Sequence, residues 1–325
     1  MSGLSRAGAR RYWWIWAAVV PILIWTVIRL FGLEGGYPLV AMMAFTPYVA
    51  IAALLVAGVA LALRNWAAAT LAALAMLCLA AVVLPRTIGS ETADAAGHKT
   101  LTVLAANVHV GGADPDVLVG LVDRTHPDLL SVEELTPSFA AKLKRAGIER
   151  RLPESMLLVH RNASGAGLYS RLPMTPLPHQ TRFFFRMPRA ALRMPDGRRL
   201  RVVGVHPYPP LSKNVGRWQA ALESLPSAGE GTPWVLAGDF NGTFDQAQFR
   251  DVVDRGYVDA GAATGKGLEP TFPTMGHRML PPSITIDHVL ADRRLGIADY
   301  GVDDLANSDH RAVQATIVLP QRPSR

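Results

Sequence analysis

Residues 233–242 read PWVLAGDFNG, and the order within them sets the pattern for most of the chain. An apolar run of strand length, 234–237, breaks at Gly238 and gives way at once to a carboxylate and an amide, Asp239 and Asn241. The same design recurs. LTVLAANV (101–108) ends on Asn107, DLLSVEEL (128–135) on Glu133 and Glu134, and LRVVGVHPYPP (200–210) on His206. SITIDHVLAD (283–292) carries Asp287 and His288, and Ser308-Asp309-His310 opens the run RAVQATIV (311–318). Strand ends are the places where a rigid scaffold aims side chains into a shared crevice.

Further β-rich runs at 156–160 and 167–170 alternate with stretches of helical spacing at 115–124 and 216–225. Asp196-Gly197 is a hairpin turn between two extended runs, which implies antiparallel pairing and argues against a purely parallel sheet. The spacing predicts a mixed α/β domain over residues 100–320, followed by a tail at 321–325.

The first 85 residues differ in kind, holding five of the 33 Lys and Arg and one of the 26 Asp and Glu. Apolar stretches at 13–33, 38–63 and 66–84 each approach the ~20 residues that cross a bilayer as helix, so three transmembrane helices are expected. A cleaved leader fits less well, because the first stretch is long for one and two more follow. Arg6, Arg10 and Arg11 precede the first stretch, Arg64 sits between the second and third, and the loop at Glu34-Gly35-Gly36 has no cation. That asymmetry predicts a multi-pass cell-membrane protein with a cytoplasmic N-terminus and an extracytoplasmic C-terminal domain. Trp13, Trp14 and Trp16 suit an interfacial belt, and Arg29 is expected to snorkel. Residues 86–99 read as a linker.

Most of the net charge of +7 belongs to the apolar segment, so the larger domain shows no basic surface of the kind that tracks a nucleic-acid backbone. The lone cysteine, Cys78, excludes a disulfide framework and a thiol nucleophile in that domain. GAATGKG (261–267) is misspaced for a phosphate loop and ends on glycine where a hydroxyl is needed, and neither H-E-x-x-H nor G-x-S-x-G occurs. What remains at the strand ends is Asn, Glu, Asp and His. Amide and carboxylate oxygens suit Mg²⁺ or Mn²⁺, and histidines beside such an ion serve proton transfer or stabilise a phosphoryl group.

The ordered set, AANV, VEEL, Ser170-Arg171-Leu172-Pro173, VVGVHPYPP, GDFN, IDHV and SDH, resembles the endonuclease/exonuclease/phosphatase superfamily over about residues 100–320. The resemblance implies a four-layered α/β sandwich of two mixed sheets with helices outside. It also implies a phosphoester hydrolase in which Asn107 and Glu134, with Asp309 nearby, hold the divalent ion. His310, oriented by Asp287, becomes the general base or the imidazolium partner of the phosphate. Asp239 positions or activates water, and Asn241 and His206 donate to phosphoryl oxygens. Glu133 stands where the superfamily commonly has Gln, which is expected to add negative charge beside the metal and so to raise one carboxylate pKa or change the metal preference.

The substrate expected from these features is a phosphodiester of nuclease type, with a phospholipid headgroup or small phosphoester as the alternative and a non-catalytic binding module as a remoter one. Two features stay outside this scheme. Arg182-Phe183-Phe184-Phe185-Arg186 is suited to stacking a base, to a lipid surface or to one buried strand face, and His109 is a candidate for the rim of the site.

Overall fold

A computed structural model of the chain describes residues 12–90, 92–178, 184–275 and 278–321. It has two compact units, one of residues up to Pro85 together with Asp245–Ala247, the other of Arg86–Phe244 and the residues from Gln248 onward.

In the first unit the stretch at 13–33 is a 3₁₀ turn, Trp13–Ile15, followed by the helix Trp16–Phe31, which stops at Gly32 in the left-handed conformation. The stretch at 66–84 gives Trp66–Val83, whose first turn is capped by the Asn65 side chain. The middle stretch departs from expectation. It breaks into Leu39–Met43 and Thr46–Ala62, and Pro47 fixes the second start because proline suits a first helical turn. The 17 residues of that helix cover about 26 Å, short of the ~30 Å hydrocarbon core. Among the described residues two helices are therefore long and apolar enough to cross a membrane, Trp13–Phe31 and Trp66–Val83.

The three pack as an up-down-up bundle on small residues. Ile15 and Val19 cluster with Ala60, Ala68 and Ala72, and Ile22 clusters with Ala53 and Ala75. Moving along the first helix thus runs backward along the second and forward along the third. Arg29 does not snorkel: it is buried, and its Nε donates to Asp245 Oδ1 at 3.1 Å, so the charge is met by a carboxylate of the same unit. Arg6, Arg10 and Arg11 lie outside the described residues.

The second unit contains two six-stranded sheets. In spatial order the first is Gly296–Asp304, Arg311–Val318, Thr100–Asn107, Leu129–Glu133, Ala166–Ser170, Glu154–Leu158. The second is Met174–Pro176, Arg189–Arg193, Arg199–Val205, Trp234–Asp239, Asp287–Asp292, Tyr257–Asp259. Each has one parallel pair, Thr100–Asn107 with Leu129–Glu133 and Arg199–Val205 with Trp234–Asp239, among antiparallel neighbours. Both sheets are mixed, as the hairpin at Asp196-Gly197 implied. Helices Pro115–Thr125 and Pro137–Arg145 cover the outer face of the first sheet, and Trp218 and Phe249 bring two more helices over the second, which makes four layers.

Alternation along the strands places the site. Leu101, Val103 and Ala105 face the core between the sheets, whereas Leu104 and Ala106 face the outer helices. Side chains repeat every second residue, so the inward row continues to Asn107. By the same count Leu129 leads to Glu133, Val202 to His206, Val235 and Ala237 to Asp239, and Val289 back to Asp287. One apolar core thus ends, at the carboxyl ends of the central strands, in a layer of amide, carboxyl and imidazole. Gly238 (φ +142°) is required there, since a Cβ would lie 2.3 Å from the Val205 carbonyl oxygen.

The segment 86–99 belongs to this unit; Ser90 N donates to Ala263 O and Ala93 N to Ile297 O. Of the misspaced glycine-rich stretch, Ala260–Ala263 forms a short helix capped by Asp259, and a turn follows. Ser170 of SRLP lies at the opposite end of the sheet, its hydroxyl donating to the Asp128 and Leu172 carbonyls, a structural role.

Candidate active site

Asp239 is the hub of the polar layer. Its Oδ2 accepts from Asn107 Nδ2 at 3.1 Å and from Asn241 Nδ2 at 3.3 Å, and lies 3.7 Å from His206 Nε2 and 3.8 Å from His310 Nε2. Asn107 also reaches Glu134 Oε1 at 3.4 Å, while Glu134 Oε2 accepts from the Val110 amide at 2.7 Å. Glu134 and Asn241 both sit at positive φ (+60° and +48°), turning the chain sharply after each strand. Asn107, Glu134, His206, Asp239, Asn241, Asp287 and His310 are therefore one hydrogen-bonded and ion-paired group assembled from both sheets.

His310 is held from three sides. Its Nδ1 lies 2.9 Å from Asp287 Oδ2, its backbone amide donates to Ser308 Oγ at 3.1 Å, and the Ser308 hydroxyl donates to the Asn107 carbonyl at 2.8 Å. Phe272 packs on the ring with centroids 4.8 Å apart. Asp287 is placed by a residue that sequence reading missed. The Thr271 hydroxyl accepts the amides of Ile286 and Asp287, a long-range contact with no local signal. Trp218, fully buried, likewise secures the GDFN loop by donating to the Phe240 carbonyl. His288 is structural: its ring bridges Asp259 and the Gly242 carbonyl.

Two expected residues are placed differently. Asp309 is not in the buried layer; its carboxylate turns to His109 Nδ1, 2.8 Å away, and both side chains are substantially exposed. His109 is thus at the rim, with its amide donating to Asn107 Oδ1. Asn241 presents its amide to Pro207 O and Asp239 rather than outward.

Glu133 is the buried member of the Glu133-Glu134 pair. It is fully buried on the inward row, with the Ser131 hydroxyl donating to Oε1 and Oε2 without a partner. Burial, opposed by the Ser131 bond and reinforced by Asp287 and Asp239, pushes its pKa well above the usual range. Burial thus favours the neutral, protonated form of Glu133, the form that resembles the common Gln in charge as well as shape.

Titration divides the two site histidines. Burial, then the charge of His310, lowers His206 to about 3, so His206 is neutral. Burial alone would also lower His310, but the Asp287 and Asp239 carboxylates and the Asp287 hydrogen bond raise it to about 10. Burial raises Asp239 to about 7 against the opposing charge of His310, and burial raises Glu134 against its bonds to Val110 and Asn107. At neutral pH the network therefore holds an imidazolium between Asp287 and Asp239.

The donors fit a hard divalent cation. Glu134, Asp239 and Asp287 are three carboxylates of one site, and burial pushes the pKa values of the first two up. Among the described residues, one group of at least three acidic or imidazole side chains lies within ion-binding reach, Asp239, Asp287 and His310, with ligand atoms inside 4.8 Å. Two of these are already joined by the Asp287–His310 bond.

Sandwich and site together define a phosphoester hydrolase. Residues 104–310 match the model of the Endonuclease/Exonuclease/phosphatase family, and the chain belongs to that family. Solved structures share the fold at low identity. One is an endonuclease/exonuclease/phosphatase from Beutenbergia cavernae DSM 12333, 17% identical, with 70% of this chain and 73% of that one covered and a TM-score of 0.52. Another is D. rerio TDP2 complexed with a single-strand DNA product, 16% identical over 67% and 99% of the two chains, TM-score 0.51. A third is the Bacteroides thetaiotaomicron VPI-5482 mannosyl-6-phosphatase Bt3783, 16% identical over 67% and 100%, TM-score 0.50. No curated protein matches the sequence.

Proposed function

We propose that this chain is a membrane-anchored, divalent-metal-dependent phosphodiesterase acting outside the cytoplasm. The observation that carries the chemistry is the convergence of Asp239, His206, His310, Asn107 and Glu134 on one buried layer, with separate groups suited to proton acceptance and proton donation. Asp239, at about 7, is matched to the task of taking a proton from the attacking water near neutral pH. His310, kept cationic by Asp287, donates to the phosphoryl oxygen on which charge grows. His206 is neutral and offers Nε2 to the same region. Asn241 serves as a donor once its amide turns from Pro207. Glu134 and Asn107, with Asp309 at the rim, would hold Mg²⁺ or Mn²⁺, which supplies neutralisation of phosphoryl charge.

Anchoring rests on the apolar bundle. Trp13–Phe31 and Trp66–Val83 are the two long apolar helices, and we count the shorter Thr46–Ala62, which packs antiparallel along the latter, together with Leu39–Met43 as a third crossing. With the N-terminal arginines inside, three crossings put the catalytic unit outside the cytoplasm. A C-terminal reporter active only outside the cytoplasm should then give signal; signal from a cytoplasm-only reporter overturns the topology.

The chemistry is tested by incubating the full-length protein with plasmid DNA, RNA, a phosphatidylinositol phosphate, sphingomyelin and bis(4-nitrophenyl) phosphate. Turnover of a diester should vanish with EDTA and return with Mg²⁺ or Mn²⁺. Undiminished turnover in EDTA contradicts the metal assignment, and cleavage confined to a lipid headgroup contradicts the nuclease-type substrate.

A further inference from the structure

Beside His206 the second unit carries an aromatic stack that the proposed chemistry does not use. Phe185 packs edge-on against His206 (centroids 4.8 Å, interplanar 77°) and against Tyr208 at 4.4 Å. Tyr208 lies nearly parallel to Phe184, at 6.3 Å and 29°, and His160 meets the edge of Phe184 at 5.6 Å. The Arg217 guanidinium sits over Tyr208, 5.3 Å from the ring centre. The order is cation, Tyr208, Phe184, and Phe184 is half exposed. Arg182 and Phe183 lie outside the described residues.

The half-exposed Phe184 ring, one aromatic contact removed from His206 through Phe185, presents an apolar face to whatever lies beside the site. Flatness and charge say what. The nearly parallel rings propagate a plane, and Arg161, Lys213 and Arg217 are exposed on the same segments, complementary to phosphates. Stacking on aromatic faces is how phosphate-bearing chains of bases are gripped without reading their sequence.

We propose that Phe184, backed by Tyr208 and Arg217, is a stacking subsite for the nucleobase or other planar ring attached next to the scissile phosphate. This rests on the phosphodiesterase reading, and it makes the preferred substrate one whose flanking group is flat rather than aliphatic. An alkyl chain would be served as well by any apolar side chain at position 184, and this separates the two occupants.

The test is equilibrium binding of 2-aminopurine deoxyribonucleoside 5′-monophosphate to the full-length protein, followed by fluorescence quenching, with ribose 5-phosphate and n-butyl phosphate as competitors. Wild type and Phe184→Trp should bind and quench the probe, while Phe184→Leu and Tyr208→Leu should weaken binding about ten-fold or more with unchanged thermal unfolding. Neither base-free competitor should displace the probe at concentrations where unlabelled dAMP does. Unchanged affinity in Phe184→Leu, displacement by butyl phosphate as effective as by dAMP, or no binding of the probe overturns the subsite. Binding is read without turnover, so a protein that stacks the probe but hydrolyses no diester counts against the phosphodiesterase reading alone.

Discussion

His206 and His310 are both buried at strand ends of one polar layer, with Nε2 atoms 3.7 Å and 3.8 Å from the same Asp239 oxygen. Their protonation is opposite. His310 has Asp287 on its second nitrogen, whereas His206 Nδ1 is buried with no hydrogen-bond partner and the ring is flanked by Phe185. Equal burial therefore does not fix the charge of an imidazole; a single carboxylate on its far side does. The pair divides the labour, one ring cationic at rest and one a neutral donor.

The largest effects should fall on the cationic side. His310→Ala removes the imidazolium and leaves Asp287 and Asp239 uncompensated, so kcat on bis(4-nitrophenyl) phosphate should fall by roughly 10³ or more. His206→Ala removes one donor and should cost on the order of 10² to 10³. His206→Gln should recover part of that and His310→Gln none, because an amide replaces a donor but not a cation. Equal rescue by Gln at both positions would break the contrast between the two rings.

The pH profile of kcat is next in size. Asp239 must be ionised to accept a proton, so activity should rise with pH through about 7; His310 must stay protonated, so it should fall again near 10. Asp287→Asn should move the alkaline limb to lower pH, because the largest influence raising His310 is gone. An alkaline limb unmoved by that change would assign the limb to another group.

Much of the site was legible in the sequence. Polar residues closing apolar runs at Asn107, Glu134, His206 and Asp239 were visible because a strand and its end are local properties. The burial of Glu133 was also open to reading: counting every second residue from Leu129 through Ser131 puts it on the inward row. Pro47 likewise stood in the sequence where the middle apolar stretch breaks. Thr271 under Asp287, and the turn of Asp309 toward His109, were not legible, because both depend on segments brought together only by the fold.

The smallest effect concerns Glu133. A carboxyl whose folded pKa is raised costs nothing below its unfolded pKa, near 4.3, and costs progressively more stability as pH climbs toward the folded value. Glu133→Gln should therefore leave Tm nearly unchanged at pH 4 and raise it progressively as pH climbs to 8. A Tm difference independent of pH would mean that Glu133 is ionised in the folded protein.

Turnover depends on Asp287 and His310 acting as one unit, and a double-mutant cycle tests that most directly. kcat would be measured for wild type, Asp287→Asn, His310→Ala and the double variant, with thermal unfolding showing each to be folded. The double variant should be little slower than His310→Ala alone, since a carboxylate that acts through an imidazole has nothing left to act on. Losses that simply add in free energy, or near wild-type turnover in folded His310→Ala, would contradict it.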